Sequence, residues 1–423
     1  MENANFLPAI IIFLVAYGII ISEKLNRTVV ALLGALAMVV FHILSQEEAF
    51  HVIDFNTIGL LVGMMTIVNI LKRTGIFQYI AIKTAKLSKG SPWKIMLYFS
   101  VVTAVASALL DNVTTILLIA PVTFVITETL GLNPVPFLIT EVLTANIGGT
   151  ATLIGDPPNI MIGGATNLSF MDFLINLGPV VVVIFIVVLL LLKFIYGSQL
   201  KISEENKAKI AEFDETKTIT DPVLLKKSGI VLLGTILGFA IHQSFGLESA
   251  TIALLGAGIL LLIGKVDVEE ILTEVEWPTI FFFMGLFIMV GALEEIGVIE
   301  VVANQLISLT QGNVFVTTML ILWVAAIASA FLDNIPFVAT MIPLIHSIGA
   351  TGMDTTSLWW ALALGACLGG NGSVVGATAN VIVSGMLHKK GYKLTFGDFL
   401  KIGFPIMLVS VVISMIYLIL FYV

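Results

Sequence analysis

"GGTATLIGDPPN", Gly148 to Asn159, interrupts a stretch otherwise apolar enough to cross a membrane. It sets paired glycines, paired prolines, a carboxylate and an asparagine where a lipid-spanning helix has no use for them. In hydrocarbon every backbone polar group needs a partner inside the protein, so broken helix is tolerated only against protein or a wetted cavity. The stretch also recurs. After one deletion it aligns with "GGNGSVVGATAN", Gly369 to Asn380, which keeps the paired glycines and the closing asparagine. Single glycines are explained by close helix packing. A paired motif with a matched Asn, present twice, reads as one broken helix in each half of the chain. Gly148-Gly149 and Gly369-Gly370 are expected to unwind the span. Pro157 suits the first turn of a resumed half-helix, where a missing N–H is harmless. Thr150, Asn159, Asn371 and Asn380 are candidate ligands beside the freed backbone groups.

Outward from this motif the repeat covers most of the chain. "VALLGA" at Val30 returns as "IALLGA" at Ile252, an offset of 222 residues. That offset carries Glu47-Glu48 onto Glu269-Glu270, Gly63 onto Gly285, Gly75 onto Gly297 and "SALLDN" (Ser107 to Asn112) onto "SAFLDN" (Ser329 to Asn334). Apolar matches are cheap in such a sequence, but a constant offset holding Asp-Asn, Gly and Glu pairs is not. The period far exceeds the ~20–50 residues of solenoid repeats, so the protein is a duplicated unit.

Composition places that unit in a membrane. Hydrophobic residues make up 58% of the 423 and charged residues 11%, with mean hydropathy +1.08, against about 25% charged in soluble domains. Apolar runs such as "FLPAIIIFLVAYGIIIS" from Phe6 approach the ~20 residues of a span. The first run has no basic start and is too long for a cleavable signal peptide. With one cysteine, Cys367, neither a disulfide framework nor a thiolate cluster is available within the chain.

Each half reads as three spans, two apolar segments flanking the Asp-Asn motif, a broken span and a final span. If the flanking segments form a re-entrant hairpin, each half crosses five times and the second half is inverted. Charge favours this. The connector Lys72 to Lys94 holds six basic residues, whereas its repeat partner, Glu294 to Thr317, holds none. With both termini outside, all 20 Lys and Arg face the cytoplasm, including the loop with Lys24 and Arg27. The expected layout is an all-α polytopic cell-membrane protein: a first inverted repeat over 1–197, a cytoplasmic linker over 198–227 and a second inverted repeat over 228–423. Each repeat has five transmembrane helices, one of them broken, and one re-entrant hairpin.

Inverted repeats with interrupted helices are the architecture of secondary transporters, whose sites lie near the midplane at the repeat interface. The "LDN" motifs supply the carboxylates. Asp111 and Asp333, each followed by Asn (Asn112, Asn334), sit in apolar sequence, where an acid is a functional candidate by default. Their oxygens suit a hard cation, and Na⁺ at Asp111 and Asn112 is one expectation; proton binding is the other. Thr114 and Thr115 add hydroxyls only in the first half. Asp156 and Glu141 are further coupling candidates, without acidic partners in the second half. Cys367 reads as packing, and His242, His346 and His388 as residues near span ends. No cofactor is expected beyond the coupling ion, H⁺ or Na⁺.

"LDNVTTILLIAPVT", "EVLTANIGGTATLIGDPPNIMIG" and the second "LDN…P" together resemble the ion transporter superfamily, and the resemblance runs over essentially the whole chain. That superfamily holds ArsB-type arsenite/antimonite pumps, NhaD-type sodium/proton antiporters, the P protein and citrate and dicarboxylate permeases; the wording is most similar to the P-protein-like branch grouped with ArsB. The resemblance implies the hairpins, a homodimer and an elevator-like movement. It implies a small inorganic ion or oxyanion as substrate, with arsenite-type efflux first, Na⁺/H⁺ antiport or citrate/dicarboxylate transport as alternatives, and an ion channel as the alternative of another class. The dicarboxylate carriers have Ser-Asn-Thr where this chain has Asp111-Asn112-Val113, and a carboxylate there repels a dianion unless a cation intervenes. Nucleophile–base spacing for an enzyme is missing, as is a Walker motif for an ATPase within this chain. Membrane lipid, rather than nucleic acid, is the expected surroundings.

Overall fold

Helices of the second half follow those of the first at nearly the same spacing. The computed structural model describes residues 5–22, 24–166, 168–197, 200 and 214–423. The first series runs α1 (Phe6–Ser22), α2 (Arg27–Val40), α3 (Gln46–His51), α4 (Phe55–Lys72), α5 (Ile76–Leu87), α6 (Pro92–Leu109), α7 (Asn112–Leu130), α8 (Val135–Gly149), α9 (Pro157–Ala165) and α10 (Phe170–Tyr196). The second runs α11 (Pro222–Ile241), α12 (Ser249–Gly264), α13 (Val268–Thr273), α14 (Trp277–Glu295), α15 (Val298–Thr310), α16 (Val314–Phe331), α17 (Asn334–Ala350), α18 (Thr356–Gly369), α19 (Thr378–Lys389) and α20 (Phe396–Phe421).

Among the described residues eight helices are long and apolar enough to cross a membrane, and the outward faces carry the apolar side chains lipid requires, such as Phe194 and Leu262. The protein is a multi-pass membrane protein. The connector after Lys72 contains α5, a short helix whose buried side is Phe77, Ala81, Thr84 and Ala85 and whose other side holds Lys83. Half of the linker expected over 198–227 lies outside the described residues. Its last residues belong to α11, because Asp221 caps the backbone of Val223 and Leu224 and Pro222 fills the first helical position.

Repeat-related helices pack in exchanged pairs. α2 lies on α14 and α12 on α4. The close approach is set by the matched glycines: a Cβ on Gly63 would sit 2.6 Å from the Ala253 carbonyl carbon, and one on Gly285 would sit 2.7 Å from that of Ala31. Without a hydrophobic drive between helices in lipid, such small-residue seams supply the packing. Each hairpin, α6–α7 or α16–α17, lies against its own broken helix, α6 on α8 and α16 on α18. The hairpin arms are not short: α6, α7 and α16 are among the eight span-length helices. Their tips are interior, with Asn112 3% and Asn334 4% exposed.

Gly75 and Gly297, which precede the repeat-related α5 and α15, both take the left-handed conformation, φ +78° and +82°. Only Gly75 is also covered. The Thr218 carbonyl rests on the space its Cβ would need, Thr220 donates its N–H to the Thr74 carbonyl (3.0 Å) and its hydroxyl to that of Arg73 (2.5 Å), and Lys86 pairs with Glu215 (2.6 Å). The Lys86 ammonium holds the Glu215 carboxyl below its ordinary range. An alanine in the left-handed region costs about 1–2 kcal/mol. Gly297→Ala should therefore lower stability by about that much, whereas Gly75→Ala should lower it further and loosen the linker end. Thermal unfolding in detergent reads the difference; equal losses would mean that the linker contact contributes nothing.

Candidate functional site

Both hairpin tips and both helix breaks meet in one buried junction. Within each half the break is stapled to its own hairpin by a repeated set of bonds. Ser107 donates to the Ala145 carbonyl (2.7 Å) and Thr152 to that of Ala108 (2.5 Å); Ser329 donates to Ala366 (2.6 Å) and Ser373 to Ala330 (2.5 Å). Asn159 then donates across its own loop to the Thr150 and Thr152 carbonyls (3.1 and 2.9 Å), and Asn380 to those of Gly370 and Ser373 (both 2.7 Å). The matched asparagines therefore brace the broken segments, and the carbonyls that the break frees are partly used up by them.

The paired glycines do not unwind the helix. α8 continues through Gly149 and α18 through Gly369, and none of Gly148, Gly149, Gly369 or Gly370 has positive φ. Their role is space: a Cβ on Gly148 would lie 2.5 Å from the Ala104 Cα and closer still to its carbonyl oxygen, and one on Gly369 would lie 2.8 Å from the Ala326 Cα. Gly149 abuts the Gly155 carbonyl, and Gly370 stands against Gly376 in the same way. The break begins at the end of each pair, between Gly149 and Pro157 and between Gly369 and Thr378, with Gly370 already in a 3-10 turn.

The two halves are joined by a residue that the sequence reading passed over. Asn146, fully buried on α8, donates to Asn371 Oδ1 (2.9 Å) and Asn380 Oδ1 (3.1 Å) of the second half and accepts from Asn112 Nδ2 (3.0 Å) at the first tip. Asn371 in turn donates to the Leu143 carbonyl (3.2 Å). The repeat partner of Asn146 is Cys367, whose thiol points to Asn159 Oδ1 at 3.4 Å. Because the partner is not an amide, comparing the halves hid the asparagine. Thr150 gives its hydroxyl to the Asn146 carbonyl (2.7 Å), within its own helix.

Polar groups left without partners mark the chemistry. Asn112 Oδ1, Thr115 Oγ1 and Asp156 Oδ2 are buried without a well-formed hydrogen bond among the described residues, a condition buried polar atoms rarely tolerate, although the Cys367 thiol lies beside the Asp156 carboxylate. Asn112 and Asp156 line one void of about 30 Å³ together with Asp111, Glu276, Thr279, Asn334 and Arg27. A space of ~10–15 Å³ is enough for a water, so this one suits a single water or a small cation. Asp156, at the start of α9, makes no capping bond to that helix; its other oxygen accepts from Asn334 Nδ2 at 3.3 Å. Asp111 accepts from the Thr114 N–H at 2.7 Å, leaving its carboxylate at the rim of the void. Thr114 thus contributes its amide as the tip cap.

Glu141 is not part of this group. It is buried on α8, takes a hydrogen bond from Thr123 at 2.5 Å and keeps Oε2 unpaired. Asp333 is occupied: Arg27 Nη1 lies 2.5 Å from its Oδ2. Arg27 was expected in a cytoplasmic loop, since charge bias alone groups it with Lys24; Asn26 instead caps α2 and sets Arg27 at its first turn, aimed inward. Next to this pair a larger cavity of about 230 Å³ is lined by Tyr17, Leu25, Phe331, Pro336 and Thr378. Among the described residues no three His, Cys, Asp or Glu groups converge on a metal-type site.

Two helix-pair tips thus close on two broken helices in the interior of the protein. The sequence profile of the citrate-transporter family CitMHS matches residues 17–365. The chain belongs to that family. An uncharacterised transporter of Mycobacterium tuberculosis is 44% identical over 417 residues, covering 97% of both chains. The human P protein is 35% identical, covering 95% of this chain and 58% of its own length. A solved structure, the YdaH transporter of Alcanivorax borkumensis, shares the fold over 98% of each chain with a TM-score of 0.59 at 13% identity. Family membership makes the chain a membrane transporter rather than an enzyme.

Proposed function

We propose that the chain is a secondary active transporter driven by a single small cation, Na⁺ or H⁺, that binds in the void between Asp111, Asn112, Asp156 and Asn334. The observation that carries this is that Asn112 and Asp156, each with a buried unpartnered oxygen, both line one cavity of about 30 Å³. Asp111, Asp156 and Glu276 line that cavity while Arg27, its only basic lining residue among the described residues, is engaged by Asp333. Uncompensated carboxylates in such surroundings are costly, and a cation or a proton relieves the cost. Carboxylate, amide and hydroxyl oxygens are hard ligands of the kind such cations take. The cargo would occupy the adjoining cavity of about 230 Å³.

Arsenite-type export, favoured by the resemblance, would place a neutral hydroxide among Arg27, Asp333 and Thr378; Na⁺/H⁺ antiport would need the small void alone; citrate, the substrate in the family's name, would need a cation beside Asp111 and Asp333. The chain would work as a homodimer, with the halves inverted, the termini outside and the linker in the cytoplasm. The deciding experiment is flux into proteoliposomes under imposed sodium or proton gradients, with arsenite, sodium and citrate offered in turn. Saturable flux that follows one gradient supports the proposal; gradient-independent, non-saturating conductance supports a channel and sinks it. Orientation is tested by cysteine labelling from outside: sites near Glu47 and Glu294 should react and sites at Lys83 and Lys390 should not.

A further inference from the structure

Asp111 and Asp333 are repeat partners, but their surroundings differ in one respect that sequence symmetry does not suggest. The Arg27 guanidinium is held at Asp333 from three sides. Nη1 contacts Asp333 Oδ2 at 2.5 Å and the Thr378 hydroxyl at 3.1 Å, and the guanidinium carbon stands 5.1 Å from the Phe282 ring centroid. Thr378 itself donates to the same Asp333 oxygen at 3.2 Å. Carboxylate, hydroxyl and ring face together form a site for a planar cation.

Each member of this set is lost under the repeat. Arg27 corresponds to Ser249, Phe282 to Leu60 and Thr378 to Pro157. The mirrored set around Asp111 therefore has no cation, no ring and no hydroxyl at those places. There the unpaired oxygens of Asn112 and Asp156 are found instead. Among the described residues, the groups of other elements that can carry charge near Asp333 and its partner are Arg27 of α2, Tyr17 of α1, which lines the same cavity, Glu276 just before α14, which lines the small void with Arg27, and, across the tips, Asp156 and Asp111.

We infer that Arg27 is a built-in counter-ion that permanently occupies the second of two repeat-related cation sites, so that only the first, at Asp111, exchanges a mobile ion. This rests on the cation-coupled reading above and deepens it: it names Arg27 as the residue that sets how many ions each cycle moves. The guanidinium cannot be released or deprotonated, and it fills the place a solvated ion would take. An ancestral unit with two like halves would have offered two equivalent places; the substitutions at three positions leave one.

The test counts cations on the purified full chain. Radioactive sodium bound at saturation and protons taken up in back-titration are measured on wild type and variants reconstituted in lipid nanodiscs. Arg27→Gln should gain one further cation per chain, as sodium or as a proton, and adding Asp333→Asn to it should abolish the gain. Arg27→Lys, which keeps a tethered charge, should gain none. No gain in a folded Arg27→Gln, or a gain that survives Asp333→Asn, overturns the inference. A second comparison needs no change at Arg27. Asp333→Asn alone should lose no mobile cation, whereas Asp111→Asn should lose one. Loss of a cation in Asp333→Asn overturns the inference while leaving the coupling proposal standing; no loss in Asp111→Asn removes the coupling proposal itself.

Discussion

Asp111→Asn should abolish gradient-driven uphill transport while leaving exchange of cargo across the membrane largely intact. The substitution keeps shape and one acceptor oxygen, so the tip cap to the Thr114 N–H at 2.7 Å can persist. What it removes is the charge facing the void shared with Asp156 and Glu276. At ~4 Å and an effective dielectric constant of ~20, one carboxylate is worth about 4 kcal/mol to a bound cation, or close to a thousand-fold in affinity. At working concentrations the site would then be empty, and a cycle that returns without its ion no longer concentrates cargo. Counterflow, in which labelled cargo outside exchanges with unlabelled cargo inside, needs no net ion movement. The two assays on one liposome preparation separate the outcomes. Coupled transport at the wild-type level in Asp111→Asn would overturn the coupling proposal at this void, leaving Asp156 and Glu141 as the buried carboxylates that keep an unpaired oxygen. Asp333→Asn has a different signature, because it strands the Arg27 guanidinium at a site 18% exposed at the aspartate. Both modes should fall together there, with a loss of thermal stability.

The parts of this site that could be read from sequence are those whose residue types are conspicuous in lipid: an Asp in an apolar run, a proline pair, a double glycine. Asp111, Asp156 and the two breaks belong to this class, and each is found at the junction. The helix series was also readable, since the offset of 222 residues that aligns "LDN" with "LDN" also aligns Arg27 with Ser249 at the starts of α2 and α12. Arg27 was missed for a physical reason. Positive charge near a span end is ordinarily explained by membrane topology, and nothing local distinguishes an arginine that turns inward from one in water. Asn26 capping α2 was the available clue. The glycines were noticed but misassigned, because a glycine needed for φ and one needed for space look alike in sequence. Only the Ala104 and Ala326 backbones packed against them decide the matter. Asn146 was hidden by asymmetry, its partner being a cysteine with no amide to betray a network.

That asymmetry yields the second large effect. Asn146→Leu should prevent or severely weaken folding and eliminate transport, whereas Cys367→Ala, at the repeat-related position, should change either only slightly. Asn146 touches three other side-chain amides, at 3.0, 2.9 and 3.1 Å, and two of them belong to the other half. Replacing it with leucine leaves Asn112 Nδ2, Asn371 Oδ1 and Asn380 Oδ1 to find new partners in a region without exposed surface. A buried polar atom left unsatisfied costs about 1–3 kcal/mol, so three of them together approach the ~5–15 kcal/mol that stabilises a typical domain. Asparagine networks of this kind are worth more than their pairwise parts, since each amide orients the next. Cys367 contributes a long thiol contact at 3.4 Å to Asn159 Oδ1 and weak ones to Asp156 and Thr150, and Asn159 keeps both of its own bonds to the loop when that thiol is removed. Alanine there deletes little volume and strands a single acceptor. Thermal unfolding in detergent and flux in liposomes, run on both variants, should differ widely. Similar losses at the two positions would mean that the amide chain is not what holds the halves together, and that the helix seams at Gly63 and Gly285 carry that role instead.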